Sequence, residues 1–154
     1  MTQQDLPGIF YPEAAPGDEY SVAKGPAPEG WETHYTVSEN GTEIGSVSLR
    51  HTLTGRLFEA YPVGARDLEV EPHGDDPKAL WAATHAILAQ DPACRRIVLA
   101  VPAGDIPAID FGERAGYRYV VDVEIHGDIE LSLLAAEPAW VLKEPRAIET
   151  RAGH

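Results

Sequence analysis

Residues 96–117 read Arg-Ile-Val-Leu-Ala-Val-Pro-Ala-Gly-Asp-Ile-Pro-Ala-Ile-Asp-Phe-Gly-Glu-Arg-Ala-Gly-Tyr. Residues 97–101 are a continuous apolar run rich in β-branched side chains, which suits a central strand covered on both faces. Gly104 and Asp105 then offer a helix start, and Pro107 sits in the first turn, where its missing N–H costs nothing. Gly116 supplies a left-handed C-terminal cap. The stretch is therefore a strand, a turn and a short capped helix, a unit that presents a helix N-terminus at the end of a sheet.

Working outward, the residues after this unit form a hairpin: strands over 118–125 and 128–135 turn about His126-Gly127. Before it, Asp76 is a good N-cap and Pro77 a good first helical residue. Leu80, Ala83, Thr84, Ile87 and Leu88 recur at helical spacing up to Gln90, and Asp91-Pro92 ends that helix. Further upstream, residues 31–38 alternate as a half-buried strand, Asn40-Gly41 is a hairpin turn, and residues 42–52 return as a second strand. Ile44 has the wrong parity to share a face with Val47 and Leu49, so a bulge is expected at Gly45. Residues 57–61 and 66–71 read as two more strands separated by Pro62-Val63-Gly64. The expected order is β-rich first, then β-α-β-α-β-β.

The helix carries a spacing that resembles a known signature. Asp105, Ala108, Ile109, Phe111, Glu113, Arg114, Gly116 and Tyr117 are similar, in register, to the Asn-x-x-Ala-Ile-x-Phe-Tyr-Glu-Lys-x-Gly-Phe of the GNAT acyltransferases. Leu68-Glu69-Val70-Glu71-Pro72 resembles the Leu-x-Val-x-Pro that closes the family's fourth strand, and residues 117–135 resemble its final hairpin. The resemblance covers about half of the chain. It implies an α+β fold with a GNAT-like mixed, mainly antiparallel sheet. The strands that close at 71 and 101 should then lie side by side, parallel, and splay at their C-terminal ends.

What the resemblance implies about chemistry is an acyl-CoA-dependent N-acyltransferase, with acetyl-CoA or another acyl-CoA as cofactor and a small amine as acceptor. The positions it assigns to the cofactor are Val70, His73, Gly74, Asp105 and Gly112. A carboxylate on the fourth strand would be the general base, Glu71 first and Glu69 second; together with Asp67 these residues also read as a plain solvated acidic face. Three departures open an alternative, a GNAT-like fold that serves as a binding or assembly module or takes another ligand. The family's Arg/Gln-x-x-Gly-x-Gly/Ala pyrophosphate loop is reduced to residues 72–78, with one glycine, Asp75 and Asp76 near the phosphate position, and Pro77 removing a donor. Gly112 stands where the family has a Tyr that often protonates the leaving thiolate. The two helices that usually follow the first strand and wall the acceptor site are not found, so that wall is absent, rebuilt from loops, or supplied by another subunit of a homo-oligomer.

Composition bounds the rest. A chain of 154 residues with 44% hydrophobic side chains suffices for one domain. Residues 1–30, rich in Pro, Gly, Glu and Ala, read as an N-terminal arm in which only residues 19–24 can pair as a strand, and an aromatic-aliphatic patch at Ile9, Phe10 and Tyr11 heads it. Residues 31–142 form the domain and 143–154 a polar tail. The formal net charge of −13 disfavours nucleic acid and anionic membranes; it suits a cationic substrate or a basic partner, and an acidic surface is also a common route to solubility alone. Cys94 is the single cysteine, so neither an intrachain disulfide nor a Cys-based zinc site can form. No apolar run approaches the length of a membrane span and no leader pattern opens the chain, so the expectation is a cytoplasmic protein. Asp122, Glu124 and His126 alternate on one strand, but lone neighbours two apart lack the convergence a metal needs, and no metal is expected.

Overall fold

The computed structural model describes residues 16–61, 63–64 and 66–138. The patch at 9–11, the apolar Trp140-Val141-Leu142 and the 143–154 tail lie outside the described residues. Seven strands and two α-helices follow in the order β1 (Tyr20–Gly25), β2 (Thr33–Glu39), β3 (Thr42–His51), β4 (Leu68–His73), α1 (Pro77–Gln90), β5 (Ile97–Pro102), α2 (Ile106–Arg114), β6 (Arg118–Ile125) and β7 (Ile129–Ala136). They make one sheet ordered β1-β2-β3-β4-β5-β7-β6, antiparallel except for the parallel β4–β5 pair. This is the mixed, mainly antiparallel α+β sheet that the resemblance implies.

The local signals act as their chemistry dictates. Asn40 and Gly41 both adopt positive φ, 53° and 85°, the geometry a two-residue hairpin requires. A bulge is present one residue before the expected Gly45: Val37 pairs with Gly45 and Ser38 with Glu43, leaving Ile44 as the extra residue. A Cβ built on Gly45 would sit 2.7 Å from Ala79 Cβ, so the bare glycine lets the first turn of α1 pack directly on β3. His126 and Gly127 turn the β6–β7 hairpin with φ of 55° and 79°. β6 carries a second bulge, at Val120, that the sequence did not announce.

Helices α1 and α2 pack on the same face of the sheet, and strand alternation supplies the matching core. Val37, Val47, Val70, Leu99 and Leu134 are buried there with Leu80, Ala83 and Ile87 of α1. Tyr117, fully buried after α2, exchanges a 2.8 Å hydrogen bond with Thr84 of α1 and so ties the two helices. Cys94 is buried too, its thiol pushed up to about 12 by desolvation.

One expected strand is corrected. Residues 57–61 are turns, not a strand, because β3 pairs directly with β4 along its length and leaves no slot between them. The segment instead folds over the sheet face opposite the helices. There Leu57 packs with Val98, Ile125, Leu131 and Leu133 in a second core. The Tyr61 hydroxyl donates to Asp67 at 3.0 Å. No helix stands between β1 and β2 among the described residues, so the seven-residue connection there does not build the family's acceptor wall. No described helix is long and apolar enough to cross a membrane.

Candidate functional site

β4 and β5 pair through Leu68–Ile97, Glu69–Val98 and Val70–Leu99, and then separate. A cleft of about 470 Å³ opens where they part, lined by Val70, Glu71, Gly74 and Asp75 from the β4 side. Leu99, Val101, Asp105 and Phe111 close it from the β5–α2 side. Apolar β-branched and leucine residues hold the two strands together below this point. Above it, Pro72, which lacks an N–H, and Gly74, at φ 102°, turn the chain away into α1.

The expected site residues divide on this geometry. Glu71 is exposed on the cleft wall directly beyond the point of divergence, and Val70 and Gly74 line the cleft. Asp105 lines it too, but its carboxylate is engaged as the α2 N-cap, accepting from the Ala108 N–H at 3.2 Å. His73 is turned away: its Nε2 meets the Ser48 hydroxyl at 3.0 Å, and Ser48 in turn meets His34 Nδ1 at 2.9 Å, so the three form a polar chain across β2, β3 and β4.

Two assignments are corrected. Gly112 does not face the cleft, since a Cβ there would lie 2.7 Å from a Leu99 methyl and 3.0 Å from one of Leu134; the residue lies against the core, and its lack of a side chain is a packing requirement. Glu69 is no free base. Its side chain is 1% exposed, and its two oxygens accept separately from Arg50 Nε and Arg56 Nε, each at 3.1 Å. The solvated acidic face is corrected with it, because Asp67 is also buried, between Tyr61 and Arg96. Of the three carboxylates only Glu71 is open to solvent.

The N-terminus of α1 is occupied by its own cap. Asp76 Oδ1 accepts from the Lys78 N–H at 2.9 Å, the Asp76 carbonyl accepts from the Ala79 N–H at 3.0 Å, and Pro77 has no N–H. The donors a helix start offers an anion are therefore largely spent within the chain. Lys78 reaches away to Glu39 at 2.9 Å.

Sequence reasoning missed Arg50, Arg56, His34 and Ser48. Part of the signal was present: Ser46, Ser48 and Arg50 alternate with Val47 and Leu49, and antiparallel pairing of that strand with residues 68–73 sets Arg50 opposite Glu69. Arg56 carried no such signal, because the turn that delivers it read as the approach to another strand. Among the described residues no cluster of three or more metal-ligating side chains forms; Asp122 accepts from the Ser132 hydroxyl at 2.6 Å.

The architecture is that of the GNAT acetyltransferases. The aminoglycoside acetyltransferase AAC(6')-Ib in complex with ribostamycin and coenzyme A superposes with a TM-score of 0.58 at 17% identity, over 74% of this chain and 68% of that one. An uncharacterized protein from Bacillus halodurans superposes with a TM-score of 0.55 at 18% identity, over 71% of this chain and 60% of its own. A second structure of AAC(6')-Ib, with coenzyme A, gives 0.56 at 17% identity, over 68% and 65%. The chain thus spans about two thirds of the length of these neighbours or less. No protein-family model matches the chain, and no curated protein sequence matches it.

Proposed function

We propose that this protein transfers an acyl group from acyl-CoA, acetyl-CoA in the simplest case, to a small amine, with the thioester held in the β4–β5 cleft. The observation that carries this is the splayed parallel pair with an exposed carboxylate, Glu71, at the point of divergence. Beyond Val70 and Leu99 the facing backbone groups of the two strands no longer bond each other, which leaves them for an extended ligand arm and for the thioester carbonyl. Glu71 accepts the proton of the ammonium or of the attacking amine, the nitrogen adds to the carbonyl carbon, and the C–S bond breaks to release the thiol. The thiolate takes its proton from solvent, since Gly112, which lies against the core, brings no hydroxyl to the cleft. The neighbouring structures with coenzyme A, and with ribostamycin as well, support both the cofactor class and the amine acceptor.

A second reading, a GNAT-like fold that binds without turning over, has one observation in its favour: the α1 N-terminus is capped by Asp76 rather than open to phosphate. The test is thiol release from acetyl-CoA in the presence of a panel of primary amines. Acyl transfer predicts amine-dependent release that Glu71→Gln lowers by about a hundredfold, within the range for a general base. Release that is absent, or indifferent to Glu71→Gln, supports the binding module.

A further inference from the structure

Glu69 is buried against two guanidinium groups, and a buried ion cluster of this kind is poor value as a stabilising device, because desolvation offsets most of its attraction. The two arginines differ in what else they do. Arg50 has its charge otherwise engaged: one terminal nitrogen donates to the Gly30 carbonyl at 3.1 Å, and its guanidinium lies 4.0 Å over the Trp31 ring. Arg56 has its Nε alone committed, to Glu69, and its terminal amino groups make no hydrogen bond among the described residues. Its side chain is 39% exposed and lines the same cleft as Glu71. With one carboxylate shared between two guanidiniums, the cluster leaves one positive charge over, presented at the cleft by the arginine whose other edge is held in place.

We propose that Arg56 is a carboxylate-binding residue of the cleft, so that the substrate bearing on it is anionic at one end. A guanidinium fixed through Nε offers its terminal amino groups as a planar fork, the arrangement that matches a carboxylate. Glu71 lies two residues from Glu69 on the same face of β4, about 7 Å along the strand. The cleft therefore offers a negative and a positive group side by side, which fits an acceptor with an ammonium and a carboxylate, an amino acid. The same fork would take the terminal carboxylate of a dicarboxylic acyl chain. This inference rests on the cleft being the acyl-transfer site.

The experiment compares full-length wild type, Arg56→Gln and Arg56→Lys in two arms. In the first, thiol release is followed from acetyl-CoA and from succinyl-CoA with matched acceptors, β-alanine against propylamine and L-phenylalanine against phenethylamine. In the second, β-alanine and succinate are titrated alone and followed by ligand-observed NMR. Wild type is expected to favour the carboxylate-bearing member in kcat/KM by about tenfold or more, Arg56→Gln to bring the ratio within about twofold, and Arg56→Lys, a point charge without the fork, to fall between. If the preference follows the donor instead, succinyl over acetyl, the carboxylate belongs to the acyl chain. Equal use of both members in both series, or a preference unchanged in Arg56→Gln, overturns the proposal. Should no donor be turned over, acyl transfer itself fails, and the second arm decides for Arg56: binding of either probe that Arg56→Gln weakens severalfold upholds the site, and its absence rejects it. Arg56→Lys keeps the charge beside Glu69, so the comparison survives if Arg56→Gln does not fold.

Discussion

At Gly112 two requirements oppose each other. A mid-helix glycine costs about 0.5 to 1 kcal/mol relative to alanine. The methyl that would recover this has to displace side chains of Leu99 and Leu134, both almost fully buried. Overpacking a core of this density costs about 1 to 3 kcal/mol, so the packing effect wins. Gly112→Ala is therefore expected to be destabilised by about 1 kcal/mol in urea unfolding, with its circular dichroism unchanged. A variant more stable than wild type would show that the helix can lift off the sheet at no cost. From the sequence alone Gly112 reads as a vacancy in a motif; in the structure it is a contact, because register in a motif does not say which side of a helix meets the sheet.

The decisive element is α1, whose start combines a good cap with a poor anion site. Replacing Asp76 by Gly costs only a few tenths of a kcal/mol as a cap, since glycine is itself tolerated there, and it frees the Lys78 N–H. Replacing Asp75 by Asn removes a charge from the cleft wall. The double variant Asp75→Asn/Asp76→Gly is expected to bind acetyl-CoA more tightly by isothermal titration, with a gain that shrinks as salt is added. An unchanged affinity would place the phosphates elsewhere on the protein. Elements of this kind were legible in the sequence because their signals are local: the caps at Asp76 and Asp105, the Asn40-Gly41 turn, and the apolar run of β5. Residues 57–61 were not, because a short apolar stretch fits a strand or a packed turn equally well. Only the direct β3–β4 pairing, a long-range fact, decides between them.

Across the whole molecule the same limit governs the site. Glu71 and Gly74, which line the cleft, stand in a motif that the sequence displays, whereas the Arg50–Glu69–Arg56 cluster needed three segments brought together, and a carboxylate that looked available proved to be enclosed. Stability over pH is likewise a property of the assembled fold. His85 on α1 is buried, and desolvation lowers it to about 4. Between that value and its unfolded value near 6.5 the unfolded chain holds a proton that the folded chain does not, so stability rises with pH across this window. The contribution is complete above about 6.5 and lost as the pH falls toward 4, at most about 3 kcal/mol. In His85→Gln the slope of unfolding free energy between pH 4.5 and 6.5 should flatten by about this term; an identical slope would rule the residue out. Acyl transfer requires the cleft to hold acyl-CoA, and titration of acetyl-CoA into isotopically labelled protein, followed residue by residue by NMR, addresses this directly. Saturable shifts concentrated at Val70, Gly74, Leu99 and Ala108, with an affinity weaker than about 100 µM, are expected if the β4–β5 cleft is the cofactor site; shifts confined to the groove around His85 and Leu88, or none at millimolar cofactor, would rule it out.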